Sequence, residues 1–132
     1  MARFYGLDEA NARLDELRPL LERLRADRDA VAEIQRQLPK ARQTNGGPEH
    51  AEAVTRMEAE IRETVRRMQQ DVAQLEAWGI TLRDISTGLV DFAALASGRP
   101  IWLCWRLGEG TIDWWHEVNV GFDQRKPLSE LS

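Results

Sequence analysis

The sequence predicts an α+β protein: a long antiparallel helical hairpin followed by a small antiparallel β-sheet. Two heptad-spaced apolar seams, a breaker cluster between them, and a switch to period-two alternation after residue 79 carry that prediction. A chain of 132 residues suits one domain with its own core. The hairpin is expected over about 7–78 and the β-rich unit over about 80–127.

The first seam runs through Leu7, Ala10, Leu14, Leu17, Leu21, Leu24, Val31 and Leu38, with Arg28 breaking it at a seam position. Spacings of three and four keep such residues on one helix face. Gly6 or Asp8 can start this helix, and Glu9 stands three after Gly6, where a capping-box acid belongs. Pro19 should kink the rod, and Pro39 should end it or begin its fray.

Gln43-Thr-Asn-Gly-Gly-Pro48 reverses the chain. The second seam follows as Ala51, Val54, Ile61, Val65, Met68, Val72 and Leu75, with Glu58 as its single exception. Gly79 is placed to close this helix in the left-handed conformation. Folding about residue 45 brings Arg28 and Glu58 to similar heights, so these two exceptions are expected to pair. Each helix spans roughly 30 residues, about 45 Å at the α-helical rise. The roughly 50 remaining residues cannot cover both faces of such a rod, and a homodimer through the helices is the expected solution.

From Ile80 the pattern becomes β-rich. Leu89–Phe92 reads as a short strand, Ser97-Gly-Arg-Pro100 as a turn, and Ile101–Leu107 and Thr111–Val118 as strands around Gly108-Glu-Gly110. A sheet of two or three strands is expected. Closing the last hairpin with a two- or four-residue turn sets Cys104 opposite Asp113 and Trp102 opposite Trp115. One face then carries Trp102, Cys104, Arg106, Asp113, Trp115 and Glu117. The more apolar face, toward the helices, carries Ile101, Leu103, Trp105, Ile112, Trp114 and His116. A three- or five-residue turn would swap one strand's faces and put Cys104 and His116 together.

The density of polar groups among tryptophans here exceeds what a structural hairpin needs. Four of the five tryptophans lie between Trp102 and Trp115, interleaved with the only cysteine, one of two histidines, and several acids. The tryptophans serve either as core or as a flat binding platform. Cys104 and His116 could begin a soft metal site for a divalent ion such as zinc, with Glu117, Glu109 or Asp91 completing it, although the spacing fits no established zinc motif. Cys104 could instead act as a nucleophile with His116 as base and Glu117 or Asp91 as orienter. Arg106, Glu109 and Arg125, with Asp91 nearby, could line a pocket for a small anionic ligand. His50, beside the helix turn, reads as surface.

Composition narrows the function classes. A net charge of −4, from 18 basic and 22 acidic residues spread over both halves, leaves no basic stripe for nucleic acid. No apolar run approaches the ~18 residues of a membrane span. A single cysteine cannot form an intrachain disulfide, and charged residues follow the N-terminus too soon for a signal peptide, so a cytoplasmic location is expected.

As a set, Tyr5-Gly-Leu-Asp-Glu-Ala-Asn11 leading into an Arg-Pro-Leu-Leu helix, Gly88-Leu-Val-Asp-Phe92, Leu103-Cys-Trp-Arg-Leu-Gly-Glu109, Trp115-His-Glu117, and Gly121-Phe with Arg125-x-Pro127 resemble the domain of unknown function 2203 family of small prokaryotic proteins. The resemblance spans nearly the whole chain. Tyr5-Gly6-Leu7-Asp8 departs from the family's Phe-Thr-Leu-Glu-like opening, which bears on the helix cap and touches no candidate site. Asp91, Cys104, Glu109, His116 and Arg125 match polar positions of the family's motifs, and the resemblance implies no particular activity. The leading functional expectation is a non-catalytic ligand-binding or interaction domain with its site on the C-terminal hairpin. The alternatives are a small metal- or thiol-dependent enzyme using Cys104, His116 and Glu117, and a helical adaptor in which the β unit is only a cap.

Overall fold

A computed structural model describes residues 3–43 and 46–131. Met1, Ala2, Ser132, and Thr44 and Asn45 of the expected breaker cluster lie outside the described residues. Two long helices, α1 (Leu7–Gln43) and α2 (Gly47–Trp78), form the hairpin. Five strands follow: β1 (Ile80–Asp84), β2 (Leu89–Ala96), β3 (Arg99–Arg106), β4 (Trp114–Glu117) and β5 (Lys126–Pro127). They make one antiparallel meander in the order β1-β2-β3-β4-β5. The fold class is as expected, with more strands than the two or three foreseen. Among the described residues no helix is long and apolar enough to cross a membrane.

At the start of α1, Gly6 O accepts the first helical bond from Ala10 N at 2.9 Å, and Glu9 Oε1 accepts from Gly6 N at 3.4 Å. Glu9 therefore occupies the capping-box position. The helix runs through both Pro19 and Pro39 to Gln43, so Pro39 does not end it. α2 ends at Gly79, whose φ of 74° supplies the left-handed residue, and its N–H donates to Glu76 O at 3.0 Å.

The buried face of α1 is wider than a two-residue seam. Leu20 and Ile34 join Ala10, Leu14, Leu17, Leu21, Leu24, Val31 and Leu38, while Leu7 is exposed. The N-terminal half of α1 meets the sheet as well as α2, and two neighbours require a broader apolar stripe. Leu14, Leu17, Leu20, Leu21 and Leu24 share one core with Leu75 of α2 and with Val90, Phe92, Ile101, Leu103, Trp105 and Trp115 of the sheet.

The two helices are joined by pairs other than the expected one. Arg23 grips the buried Asp71 with two hydrogen bonds of 2.8 and 3.1 Å, and Arg67 reaches Asp27 at 3.4 Å. Arg28 pairs with its neighbour Asp29, and Glu58 with Arg42. The Arg23–Asp71 and Arg67–Asp27 contacts fix the register between the helices and set Arg28 level with Arg66. Glu58 is then about two helical turns away.

Ser97 and Gly98 alone, with φ of 52° and 80°, make the turn between β2 and β3; Arg99 and Pro100 are already paired. Positive φ at both central residues is the two-residue turn whose twist matches a hairpin. It sets Asp91 opposite Cys104, Phe92 opposite Leu103, and Ala93 opposite Trp102.

The β3–β4 connection departs from expectation. No strand covers 111–113; β4 begins at Trp114 and pairs Cys104 with Trp114, Leu103 with Trp115, and Trp102 with His116. This is one residue off the register of a two- or four-residue turn, so the faces of β4 are swapped. Trp115, not Trp114, enters the core, and His116 shares the outer face with Cys104. The physical cause is that residues 107–113 form a tethered loop, not a tight turn. Gly110 O accepts from Trp105 Nε1 at 2.9 Å and Arg18 Nη2 at 3.2 Å, and Asn11 Oδ1 accepts from Ile112 N at 2.8 Å. Ile112 is buried in the core even though it lies in no strand.

Gly88 closes the β1–β2 turn with φ of 65°, and a Cβ there would lie 2.5 Å from Leu107 Cγ. Gly88→Ala is expected to lower stability by about 1–3 kcal/mol through backbone strain plus that contact. Gly110→Ala, which adds a Cβ into open space, should change it by less than about 0.5 kcal/mol. Urea unfolding of the two variants beside wild type checks the contrast.

Candidate functional site

Residues of the sheet alternate between the core and an outer face. The outer face would carry Asp91 of β2, Trp102 and Cys104 of β3, and Trp114 and His116 of β4 to solvent. Instead the segment after β4 folds back across it. Val118, Asn119, Val120, Gly121 and Phe122, together with Arg83 and Leu89, roof a pocket of about 330 Å³ over Asp91, Cys104 and His116. Those three polar side chains are as buried as the core, at 2%, 1% and 2% exposure.

The hydrogen bonds of His116 define its protons. Nδ1 lies 2.9 Å from the backbone oxygen of Glu117, and Nε2 lies 3.0 Å from Asp91 Oδ2. A carbonyl only accepts, so Nδ1 carries a proton and donates it. Nε2 then faces a carboxylate oxygen that also accepts, so a second proton, shared by the ring and the carboxyl, or else a cation, must lie near that contact. Arg83 Nε donates to the same Asp91 Oδ2 at 2.8 Å. Its guanidinium stacks on Trp102, 5.0 Å from the ring centroid. Arg83 stands two residues after Thr81, which pairs with Asp91, so strand alternation puts it on the same outer face; the pairing then skips from Leu82–Val90 to Asp84–Leu89. Asp91 Oδ1, by contrast, is buried and has no hydrogen-bond partner.

Cys104 sits beside this pair. Burial pushes its thiol up to about 12, the charge of Asp91 and a weak thiol contact with that carboxylate add to the shift, and the Arg125 guanidinium opposes it. Arg125 is itself fixed by Glu109 through two parallel bonds of 2.7 and 3.2 Å. Its guanidinium lies 4.5 Å from the Trp114 ring centroid and 4.2 Å from that of Phe122. Burial opposes the charge of Arg125, but the Glu109 contact outweighs it and holds the guanidinium above its usual value. Glu109 in turn accepts the Arg106 backbone N–H at 3.0 Å, which ties the network to the end of β3.

The structure thus brings Asp91, Cys104, Glu109, His116 and Arg125 into one connected group. Arg106 stands at its rim, stacked 4.9 Å from the Phe122 centroid. The Glu117 carboxylate does not join: it lies on the opposite face, paired with Arg99, and only its carbonyl serves His116. The tryptophans divide, with Trp105 and Trp115 in the core and Trp102 and Trp114 half-buried under the arginines. His50 is partly buried, with Nε2 against Ala41 O, and is remote from the site in sequence and contacts. Arg83 and the roof at 118–120 were absent from the sequence expectations. No strand was expected at 80–84, whereas the Asp91–Cys104 pairing was recoverable by counting outward from a two-residue Ser97–Gly98 turn.

The family described as "Uncharacterized conserved protein (DUF2203)" matches residues 3–128, and the chain belongs to it. No curated protein and no solved structure matches the chain.

The raised thiol has two consequences. At pH 8, with chelator present, Cys104 should react with iodoacetamide about 1,000-fold more slowly in the folded protein than in the denatured chain, following the thiolate fraction. Above pH 9.0, the ordinary value for this thiol, and up to about 12, the unfolded thiol ionises while the folded one keeps its proton. Its contribution to stability should therefore fall as pH rises through that window and be flat below it. Comparison of Cys104→Ala with wild type in urea at pH 8 and pH 10 isolates the effect.

Proposed function

We propose that this DUF2203 protein is a non-catalytic ligand-binding domain whose site is the pocket beneath residues 118–122. One observation carries the reading: Asp91 lines that pocket, and one of its carboxylate oxygens is buried without a geometric hydrogen-bond partner. A buried acceptor left unpaired costs about 1–3 kcal/mol, more when charged, and a bound ligand removes that cost. The sign of the ligand follows from the neighbours. Arg83 is already paired with Asp91 and Arg125 with Glu109, so an anion would have to break one of those pairs. A positively charged or hydrogen-bond-donating group meets a free oxygen.

The thiol-dependent enzyme is the weaker alternative. Cys104 lies within β3, and its thiol holds its proton far above neutral pH, the reverse of an activated nucleophile. The metal-dependent alternative is favoured by one specific observation, the convergence of Asp91, Cys104 and His116 donor atoms. An unpaired thiol of this kind suits a reducing, cytoplasmic setting.

The same reading includes a homodimer through the helices. On the helical hairpin, Val31, Ala32, Val65, Met68, Val72 and Ala73 line an open apolar groove of about 770 Å³. Its rim mixes Arg28 and Arg36 with Asp29 and Glu76. A rim of both signs is self-complementary across a two-fold axis, which favours a second copy over a partner of one charge. Leu14 is fully buried against the sheet, so a charge there would unfold the monomer rather than dissociate a dimer.

Native mass spectrometry of untagged protein, purified without added metal, tests both parts. The expected spectrum is a dimer carrying one bound mass per chain, with the mass lost in Asp91→Asn. A bare chain in both proteins would overturn the binding reading. Val65→Glu should give a monomer with unchanged helical circular dichroism, and a Val65→Glu dimer would overturn the proposed interface.

A further inference from the structure

We propose that Asp91, Cys104 and His116 hold a divalent transition metal, with zinc the best match, as the occupant of the pocket; this rests on the binding reading above. One oxygen, one sulfur and one nitrogen donor lie within 4.8 Å of one another, the group of this kind found among the described residues. Tetrahedral zinc with bonds of about 2.0–2.3 Å needs its ligands roughly 3.3–3.8 Å apart. Binding would draw the ligand atoms together by at most about 1.5 Å.

Four further features fit the ion. First, Asp91 Oδ1 is buried and unpartnered, so it is free to ligate while Oδ2 keeps its bond to Arg83 at 2.8 Å. Second, His116 donates Nδ1–H to the Glu117 carbonyl at 2.9 Å, the outer-shell bond that presents Nε2 to a metal. Third, a mixed sulfur, nitrogen and oxygen set suits zinc and excludes calcium and magnesium, which take oxygen alone. Fourth, one thiolate and one carboxylate offset the charge of a divalent ion, and Glu109 offsets that of Arg125, so the ion adds no net charge when it replaces two protons.

On binding, the thiol proton and the proton shared by His116 and Asp91 leave to solvent, and the ion takes their place. Three chain ligands leave a fourth position, which opens into the pocket under Val118, Val120 and Phe122. An open position of this kind accepts water or a donor atom from a small molecule.

Cobalt titration of the untagged, chelator-stripped full-length protein tests the site. One cobalt per chain is expected, with intense tetrahedral visible bands and a thiolate-to-cobalt charge-transfer band. The chain has one cysteine, so that band reports Cys104 alone, and an equivalent of zinc should erase it. Cys104→Ser should abolish the band and weaken binding by more than about 100-fold, beyond the range of outer-shell changes. His50→Gln should leave both unchanged. If Cys104→Ser fails to fold, the wild-type charge-transfer band decides by its presence or absence. Cobalt uptake without that band, or no uptake, overturns the metal. A non-metal mass in the native spectrum that Asp91→Asn removes would then leave the binding reading standing. Neither metal nor any other mass would overturn both.

Discussion

The pairing of β2 with β3 governs the rest of the molecule. Ser97 and Gly98 both take positive φ, and that two-residue turn leaves one register for the eight residue pairs that follow. On one face the register stacks Val90, Phe92 and Ala94 against Ile101, Leu103 and Trp105, which become the floor of the common core. On the other it sets Asp91 directly against Cys104. A slip of one residue would send Asp91 into the leucines of α1 and bring Phe92 out to solvent. Apolar burial on the inner face therefore holds the polar cluster on the outer face in place. Loss of the core register and loss of the site are the same event.

The outer face shows what it takes to bury charge. Asp91, His116 and Arg83 form one group, Arg125 and Glu109 another, and Cys104 lies between them. Each arginine is neutralised by a carboxylate and stacked on an aromatic ring, Arg83 on Trp102 and Arg125 on Trp114 and Phe122. These contacts shield the guanidinium faces while their edges make hydrogen bonds. The exposed half of the tryptophan cluster is thus neither plain core nor bare platform. It is the lining that allows arginine to approach a buried thiol.

Legibility in the sequence followed periodicity. The helices, the capping role of Glu9 and the closing Gly79 were readable because each rests on local spacing. Helix pairing was not, since Arg28 and Glu58 looked like partners only under an assumed point of reversal. The site was half readable. Its residue types stood out among the tryptophans, and Asp91, Cys104, Glu109, His116 and Arg125 do meet. Their geometry depended on a loop whose length a Gly-Glu-Gly motif misreports. Residues 107–113 are held by Asn11 and Arg18, about a hundred positions earlier in the chain, and no local pattern announces such a tether. Arg83 escaped because β1 was not foreseen as a strand beside β2.

A buried cluster of this composition carries a cost that the fold does not require. Inward-facing apolar residues at 91, 104 and 116 would pack beneath Val118 and Phe122 and leave no unpaired carboxylate oxygen. Replacing buried ionic groups by well-packed apolar ones is often neutral or stabilising by 1–4 kcal/mol. The core beneath is already complete without them, since Phe92, Leu103, Trp105 and Trp115 meet the leucines of α1. A segment that then folds over the cluster and leaves a pocket lined by Asp91, with one carboxylate oxygen unpaired, adds a second cost to the first. Two such costs at one place and on one face, with no structural gain from either, are the physical ground for proposing a binding site there rather than elsewhere on the molecule.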